Sequence, residues 1–96
     1  MPRLSWSPRA LRDLHRLHDF LAPKSQEVAG RAVLSIRNGI RMLAKHPEIG
    51  RPIDGMLPEF RELVIEFGHG GYVARYHFDG RRTVVLAIRH GREAGY

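Results

Sequence analysis

The chain has 96 residues, 43% of them hydrophobic, enough for one modest core and too few for two domains or a deep cavity around a large cofactor. It carries 16 Lys and Arg against 10 Asp and Glu, a net charge of +6, and a surplus of that sign favours nucleic acid, a ribosome or an acidic polypeptide as partner. It contains no cysteine, which excludes a disulfide scaffold, a thiolate metal site and a thiol nucleophile.

The whole of residues 1–96 is therefore expected to be one domain. The longest apolar run, Val84 to Ile88, is far short of the ~20 residues of a membrane-spanning helix. The first residues lack the apolar stretch of a signal peptide. The expectation is a cytoplasmic protein with no membrane partner. Residues 1–48 hold nine basic and four acidic side chains, and residues 49–96 hold seven and six, so the positive charge is concentrated in the first half.

Arg3 to Trp6 reads as a short first strand. Ser7-Pro8 then opens a helix, with Ser as N-cap and Pro at the first helical position. Leu11, Leu14, Leu17 or His18, and Leu21 recur at helical spacing and predict its apolar stripe. Arg9, Arg12 and Arg16 fall on the other side, and Ala22-Pro23 ends the helix. A second helix is predicted from Ser25 to Lys45, with Ala29, Ala32, Val33, Ile36, Ile40, Leu43 and Ala44 facing inward and Arg37, Arg41 and Lys45 outward. Gly30 and Gly39 weaken that helix by about 1 kcal/mol each relative to Ala, and are expected to allow close packing against the first helix. The short link makes the two an antiparallel hairpin.

Three prolines and two glycines forbid regular structure over residues 47–58. Strands are predicted at Phe60–Phe67, Tyr72–Phe78 and Thr83–His90. Helices followed by strands point to an α+β fold, with a helical hairpin on one face of an antiparallel sheet.

Side-chain parity divides that sheet. A four-residue turn pairs Phe67 with Tyr72, Ile65 with Ala74 and Leu63 with Tyr76 on the helix side. An odd-length last loop adds Val84, Leu86 and Ile88 to the same side. The opposite face then carries Glu62, Val64, Glu66, Val73, Arg75, His77, Thr83, Val85, Ala87 and Arg89, with Glu62 across from His77.

Three constellations can carry function. Glu62 beside His77, with Arg75 and Arg89 near, suits acid–base cleavage of RNA. The same residues equally make a cross-strand ion pair on a solvated sheet face. The C-terminal run Arg89-His90-Gly91-Arg92-Glu93-Ala94-Gly95-Tyr96 offers cations, an imidazole and a Tyr able to stack on a base, or a polar tail. Arg9, Arg12, Arg16, Arg37, Arg41 and Lys45 make a basic surface on the hairpin, or an ordinary solvated helix face. The six histidines show no metal-ligand spacing, so neither metal nor cofactor is expected.

Trp6-Ser7-Pro8, Ala10 and Leu14 are followed by Leu43, His46-Pro47 and Gly50-Arg51-Pro52. Arg61-Glu62-Leu63-Val64, Tyr72-Val73 through Tyr76, and Val85 through His90-Gly91-Arg92 complete an order that resembles the RelE/ParE superfamily of type II toxin–antitoxin toxins over nearly the whole chain. The resemblance implies a helical hairpin on an antiparallel sheet, neutralised by a cognate antitoxin whose C-terminal segment wraps the toxin. RelE-like members cleave mRNA in the ribosomal A site with Arg, Lys, His, Glu and Tyr side chains. ParE-like members poison DNA gyrase and lack that set. Gly50-Arg51 and His90-Gly91-Arg92 look like the ParE branch, while Arg61, His90 and Tyr96 lie roughly where ribonuclease members place functional residues. The position of a catalytic Arg in some ribonuclease members falls on Gly70-Gly71, and their lysine cluster is absent.

The expectation is a gyrase inhibitor acting by contact. A ribosome-dependent mRNA endoribonuclease using Glu62, Arg75, His77, Arg89, His90 and Tyr96 is the alternative, and a binding module without toxicity a third class. Arg9, Arg12, Arg16, Arg37, Arg41, Arg51, Arg61 and Arg92 are the expected partner-binding cations.

Overall fold

The computed structural model describes residues 3–93. The elements run β1 (Arg3–Trp6), α1 (Pro8–Leu21), α2 (Gln26–Lys45), β2 (Arg51–Pro52), β3 (Phe60–Ile65), β4 (Tyr72–Phe78) and β5 (Arg82–His90). The five strands form one sheet in the order β1-β5-β4-β3-β2. All neighbours are antiparallel except β1 and β5, which run parallel. The sheet is therefore mixed, with the first strand at one edge and the two-residue β2 at the other. Both helices lie on one face, as expected.

The helix limits follow from local chemistry. The Ser7 hydroxyl accepts from the Ala10 N–H at 3.0 Å, and the Ser25 hydroxyl from the Val28 N–H at 3.1 Å, each satisfying an orphan donor of the first turn. The apolar faces of both helices meet the sheet in one core. Ala10, Leu17, Ala32, Ile36, Ile40 and Leu43 come from the helices, and Ile65, Tyr72, Ala74, Tyr76, Val85 and Ile88 from the strands. On α1 the inward stripe is rotated from the expected one. Leu11 is 47% exposed, while Asp13 is buried.

Parity holds in β3 and β4, but the register does not. Leu63 pairs with Ala74 and Ile65 with Tyr72, a shift of two residues from the expected pairing. Such a shift keeps every side chain on its predicted face, so the hydrophobic pattern cannot exclude it. The last hairpin differs further. Phe78 pairs with Thr83, and the Asp79 N–H donates to the Arg82 carbonyl, leaving an even turn of Gly80 and Arg81. The register is corrected instead by a β-bulge between Arg75/Tyr76 and Val85–Ala87, which leaves Leu86 as the extra residue. Thr83 and Val85 consequently face the helices and are fully buried, the reverse of the alternation expected for that half of β5. From Ala87 onward the predicted faces return.

Ser7 and α1 bond the backbone of β5 at the bulge and beyond it, where the pairing with β1 has ended. The Ser7 hydroxyl donates to the Leu86 carbonyl at 3.0 Å, and the Asp13 carboxylate accepts from the Ile88 N–H at 2.9 Å. Bulge and helix are thus bonded to each other through side chains.

The two helical glycines part company. A Cβ on Gly39 would lie 2.8 Å from Cγ1 of Ile65, so Gly39 lets α2 approach β3 rather than α1. A Cβ on Gly30 would meet nothing within 4 Å, and no packing among the described residues asks for a glycine there.

Candidate functional site

The register arranges the outer sheet face in rows. Phe60, His77, Val84 and Ser5 form one, Arg51, Glu62, Arg75 and Ala87 the next, and Val64, Val73 and Arg89 a third. Arg75 and His77 point away from the helices, as expected, and Tyr72 and Tyr76 lie beneath them at 3% and 0% exposure. The two-residue shift separates Glu62 from His77, however. Glu62 sits between two guanidinium groups, Arg51 at 3.6 Å and Arg75 at 3.5 Å. His77 instead stands edge-on to Phe60, with ring centroids 4.9 Å apart. The expected acid–base pair is therefore corrected to a carboxylate bracketed by cations and an imidazole against an aromatic ring.

The C-terminal candidates are divided as well. Arg89 lies on the outer face and its guanidinium reaches the carbonyls of His90, Gly91 and Glu93 at 3.2–3.4 Å. His90 pairs with Tyr72 on the helix side. Its ring meets the Tyr72 ring edge-on at 5.6 Å, and its Nδ1 accepts from the Arg92 N–H at 3.1 Å. Glu62, Arg75, His77 and Arg89 thus share one face, and His90 lies on the other. Tyr96 lies outside the described residues.

The corner that joins α2 to β2 is held by two of the motif residues. The Tyr76 hydroxyl accepts from the Gly50 N–H at 2.9 Å and donates to the Pro47 carbonyl at 2.8 Å. Burial pushes its ionisation up from the ordinary tyrosine value. A Cβ on Gly50 would come within 2.5 Å of that hydroxyl, so Gly50 is fixed by close approach. Arg61 donates to the carbonyls of Gly50 at 2.8 Å and Glu48 at 3.2 Å. Arg61 thus pins this loop, whatever else it contacts.

Two grooves open on the helical side. One, of about 530 Å³, runs between the helices beside β1, with Trp6, Leu11, Leu14 and Val33 as its apolar wall and His15, His18 and Arg37 at its rim. The second, of about 340 Å³, is lined by Leu17, Phe20, Leu21 and Tyr72 and flanked by His90, Arg92 and the Arg16–Glu93 pair. Arg16 donates to Glu93 at 2.8 Å. That bond, ahead of simple charge attraction, holds the Glu93 carboxyl below its ordinary range.

The expected partner-binding cations therefore fall into two groups. Arg9 lies 3.7 Å and Arg16 3.8 Å from Asp13, and Arg51, Arg61 and Arg16 make the contacts given above. Arg12, Arg37, Arg41 and Arg92 are exposed, and among the described residues none of these four forms an ion pair. Sequence reasoning missed the role of Asp13, and of Ser7 it found the N-cap but not the bond to the Leu86 carbonyl. A carboxylate three residues after Ala10 and four before Leu17 lies on the inward stripe, and that spacing was the available signal.

A helical hairpin on one face of a mixed five-stranded sheet is the fold this chain shares with solved structures of toxin–antitoxin systems. A family profile described as the ParE toxin of type II toxin–antitoxin system, parDE, matches residues 4–95, and the chain belongs to that family. It is 34% identical over 93 residues to Toxin RelE3 of Caulobacter vibrioides, covering 97% of this chain and 98% of the relative. Toxin RelE1 of the same organism is 34% identical over 87 residues, covering 91% and 90%. Among solved structures, the chromosomal ParDE system of P. aeruginosa superposes with a TM-score of 0.76 at 24% identity, covering 94% of this chain and 96% of that one. The RelBE2 toxin–antitoxin complex of Mycobacterium tuberculosis gives 0.67 at 21%, covering 94% and 99%. The protein is a toxin of a type II toxin–antitoxin system. No helix among the described residues is long and apolar enough to cross a membrane.

Proposed function

We propose that this toxin works in the cytoplasm by protein–protein contact with DNA gyrase and has no bond-breaking chemistry of its own. One observation carries the reading: Glu62 and His77, the acid–base pair suited to RNA cleavage, are not opposite each other, and His90 lies across the sheet from both. Glu62 is bracketed by Arg51 and Arg75, Arg89 holds the backbone of the C-terminal turn, and His90 lies on the opposite side of the sheet. General acid–base catalysis needs its two proton-transfer groups around one reacting centre. The cognate antitoxin, in this reading, fills the groove between the helices, whose apolar wall and Arg37 rim suit an acidic amphipathic segment.

The alternative, a ribosome-dependent mRNA endoribonuclease, is favoured by one arrangement. Phe60 and His77 form an aromatic pair on an open sheet face beside Arg75, a platform on which a base could stack. Induction in cells separates the two. The gyrase reading expects cleaved-complex DNA and loss of supercoiling with intact mRNA, reproduced with purified gyrase. Codon-phased mRNA ends, abolished by Arg75→Ala and His77→Ala with gyrase unaffected, would establish the alternative instead.

A further inference from the structure

Strand β4 buries two tyrosines beneath the helices, and the fold uses the hydroxyl of only one. Tyr76 accepts from the Gly50 N–H and donates to the Pro47 carbonyl. Tyr72 is 3% exposed, and among the described residues no hydrogen bond reaches its hydroxyl. Nor is that hydroxyl sealed in the core, as the partnerless Thr83 hydroxyl is. It opens into the groove of about 340 Å³ that its residue lines. A phenylalanine would fill the same place in the core with no polar group to desolvate. Burial alone pushes the ionisation of Tyr72 upward, so the group stands in the groove as an O–H donor.

The rest of the groove suits a side chain from another protein. Leu17, Phe20 and Leu21 are its apolar wall. Phe20 is 60% exposed, so the wall ends in an open aromatic lip instead of closing around a small molecule. The rim is positive. Glu93 is matched by Arg16, which leaves Arg92 and the ammonium of Lys24, 5.2 Å over the Phe20 ring. An aromatic ring and a tyrosine hydroxyl in a half-enclosed apolar seat, with cations around them, suit the anchor residue of an acidic protein segment. A second copy would bring the same charge to this rim. The groove given to the antitoxin above lies on a different flank of α1, lined by Leu11, Leu14 and His18, and no residue lines both.

We propose that this groove is where the toxin grips its cellular target. An apolar side chain from an acidic segment of gyrase seats against Leu17, Phe20 and Leu21, and a main-chain carbonyl beside it accepts from the Tyr72 hydroxyl. This contact rests on the gyrase reading given above and deepens it. Antitoxin and target then occupy different grooves, so the two kinds of binding are separable by mutation.

The test uses the purified chain, purified gyrase and the purified antitoxin encoded beside the toxin. Supercoiling assays read the target contact, and calorimetry reads antitoxin binding. Tyr72→Phe should melt at or above the parental temperature, since no bond within the fold is lost, yet inhibit gyrase about fivefold less well. Phe20→Ala should cost about tenfold in gyrase inhibition and Phe20→Asp about a hundredfold. Antitoxin affinity should stay parental in all three, and circular dichroism checks that each folds. Parental inhibition by both Tyr72→Phe and Phe20→Asp overturns the proposal while leaving the gyrase reading intact. So does a Tyr72→Phe melt below the parent's, which would bond the hydroxyl within the fold. So does a loss of antitoxin affinity or of RNA retention in place of gyrase inhibition, which would give the groove to another partner. A parental chain that leaves gyrase untouched overturns the gyrase reading itself.

Discussion

Helices α1 and α2 use their polar residues in different ways. On α1, Ser7 and Asp13 bond to the backbone of β5 around its bulge, and Arg16 bonds to Glu93 and to the Ile88 carbonyl. On α2, packing is apolar through Ala32, Ile36, Ile40 and Leu43, and the cations point outward. Two stretches with similar runs of arginine therefore do different work. Those of α1 are largely committed to the fold, and those of α2 remain available to a partner. Counting basic residues along a helix says little until the carboxylates they meet are known.

The contrast is most exposed at Asp13. Asp13→Ala leaves the buried Ile88 N–H without its acceptor and should destabilise the protein by about 2–3 kcal/mol, measured by urea unfolding, with faster hydrogen exchange at Ile88. Asp13→Asn keeps a carbonyl acceptor and should recover part of the loss. An unchanged midpoint for Asp13→Ala would mean α1 is held, like α2, by packing alone. On α2 the two glycines should respond with opposite signs. Gly39→Ala forces a methyl group toward Ile65 and should cost about 1 kcal/mol net of the propensity gain. Gly30→Ala, meeting open space, should add up to about 1 kcal/mol. Thermal melts of both variants check this pair, and equal shifts would remove the distinction between the packed and the open side of α2.

The smallest effect is expected at Arg16. Its pair with Glu93 is half exposed, so Arg16→Gln should cost less than about 1 kcal/mol. Its pH signature is more informative. Glu93 is held below its ordinary value chiefly by Arg16, so its contribution to stability is present above the ordinary glutamate range and lost as pH falls through the lowered value. Carbon NMR should show Glu93 titrating low in the parent and returning upward in Arg16→Gln.

Much of the fold was legible because local signals agreed. Ser7-Pro8 and Ala22-Pro23 bracket α1, Ser25 opens α2, and the alternation of Tyr72, Ala74 and Tyr76 fixes which side of β4 is buried. Registers were not legible, since sliding β3 by two residues preserves every face. The bulge was hidden because Val84, Val85 and Leu86 are all apolar and satisfy either alternation. Nor can a four-residue strand at the N-terminus announce that it lies parallel to the last one. Of the candidate site, the residue types were visible, but a two-residue slip was enough to separate Glu62 from His77. The basic residues could be counted, yet whether Arg16 or Arg37 faced a carboxylate depended on β5 and the turn after it.

The bulge at Leu86 also constrains how β5 can be seated in the sheet. β5 must align with β1, β4 and the polar side chains of α1 at once. Sliding it by a single residue would present Asp13 with the wrong backbone group and leave Ser7 without its carbonyl. The register of the strand is therefore read by side chains of α1 as well as by the ladder bonds, which guards the sheet against a one-residue misalignment.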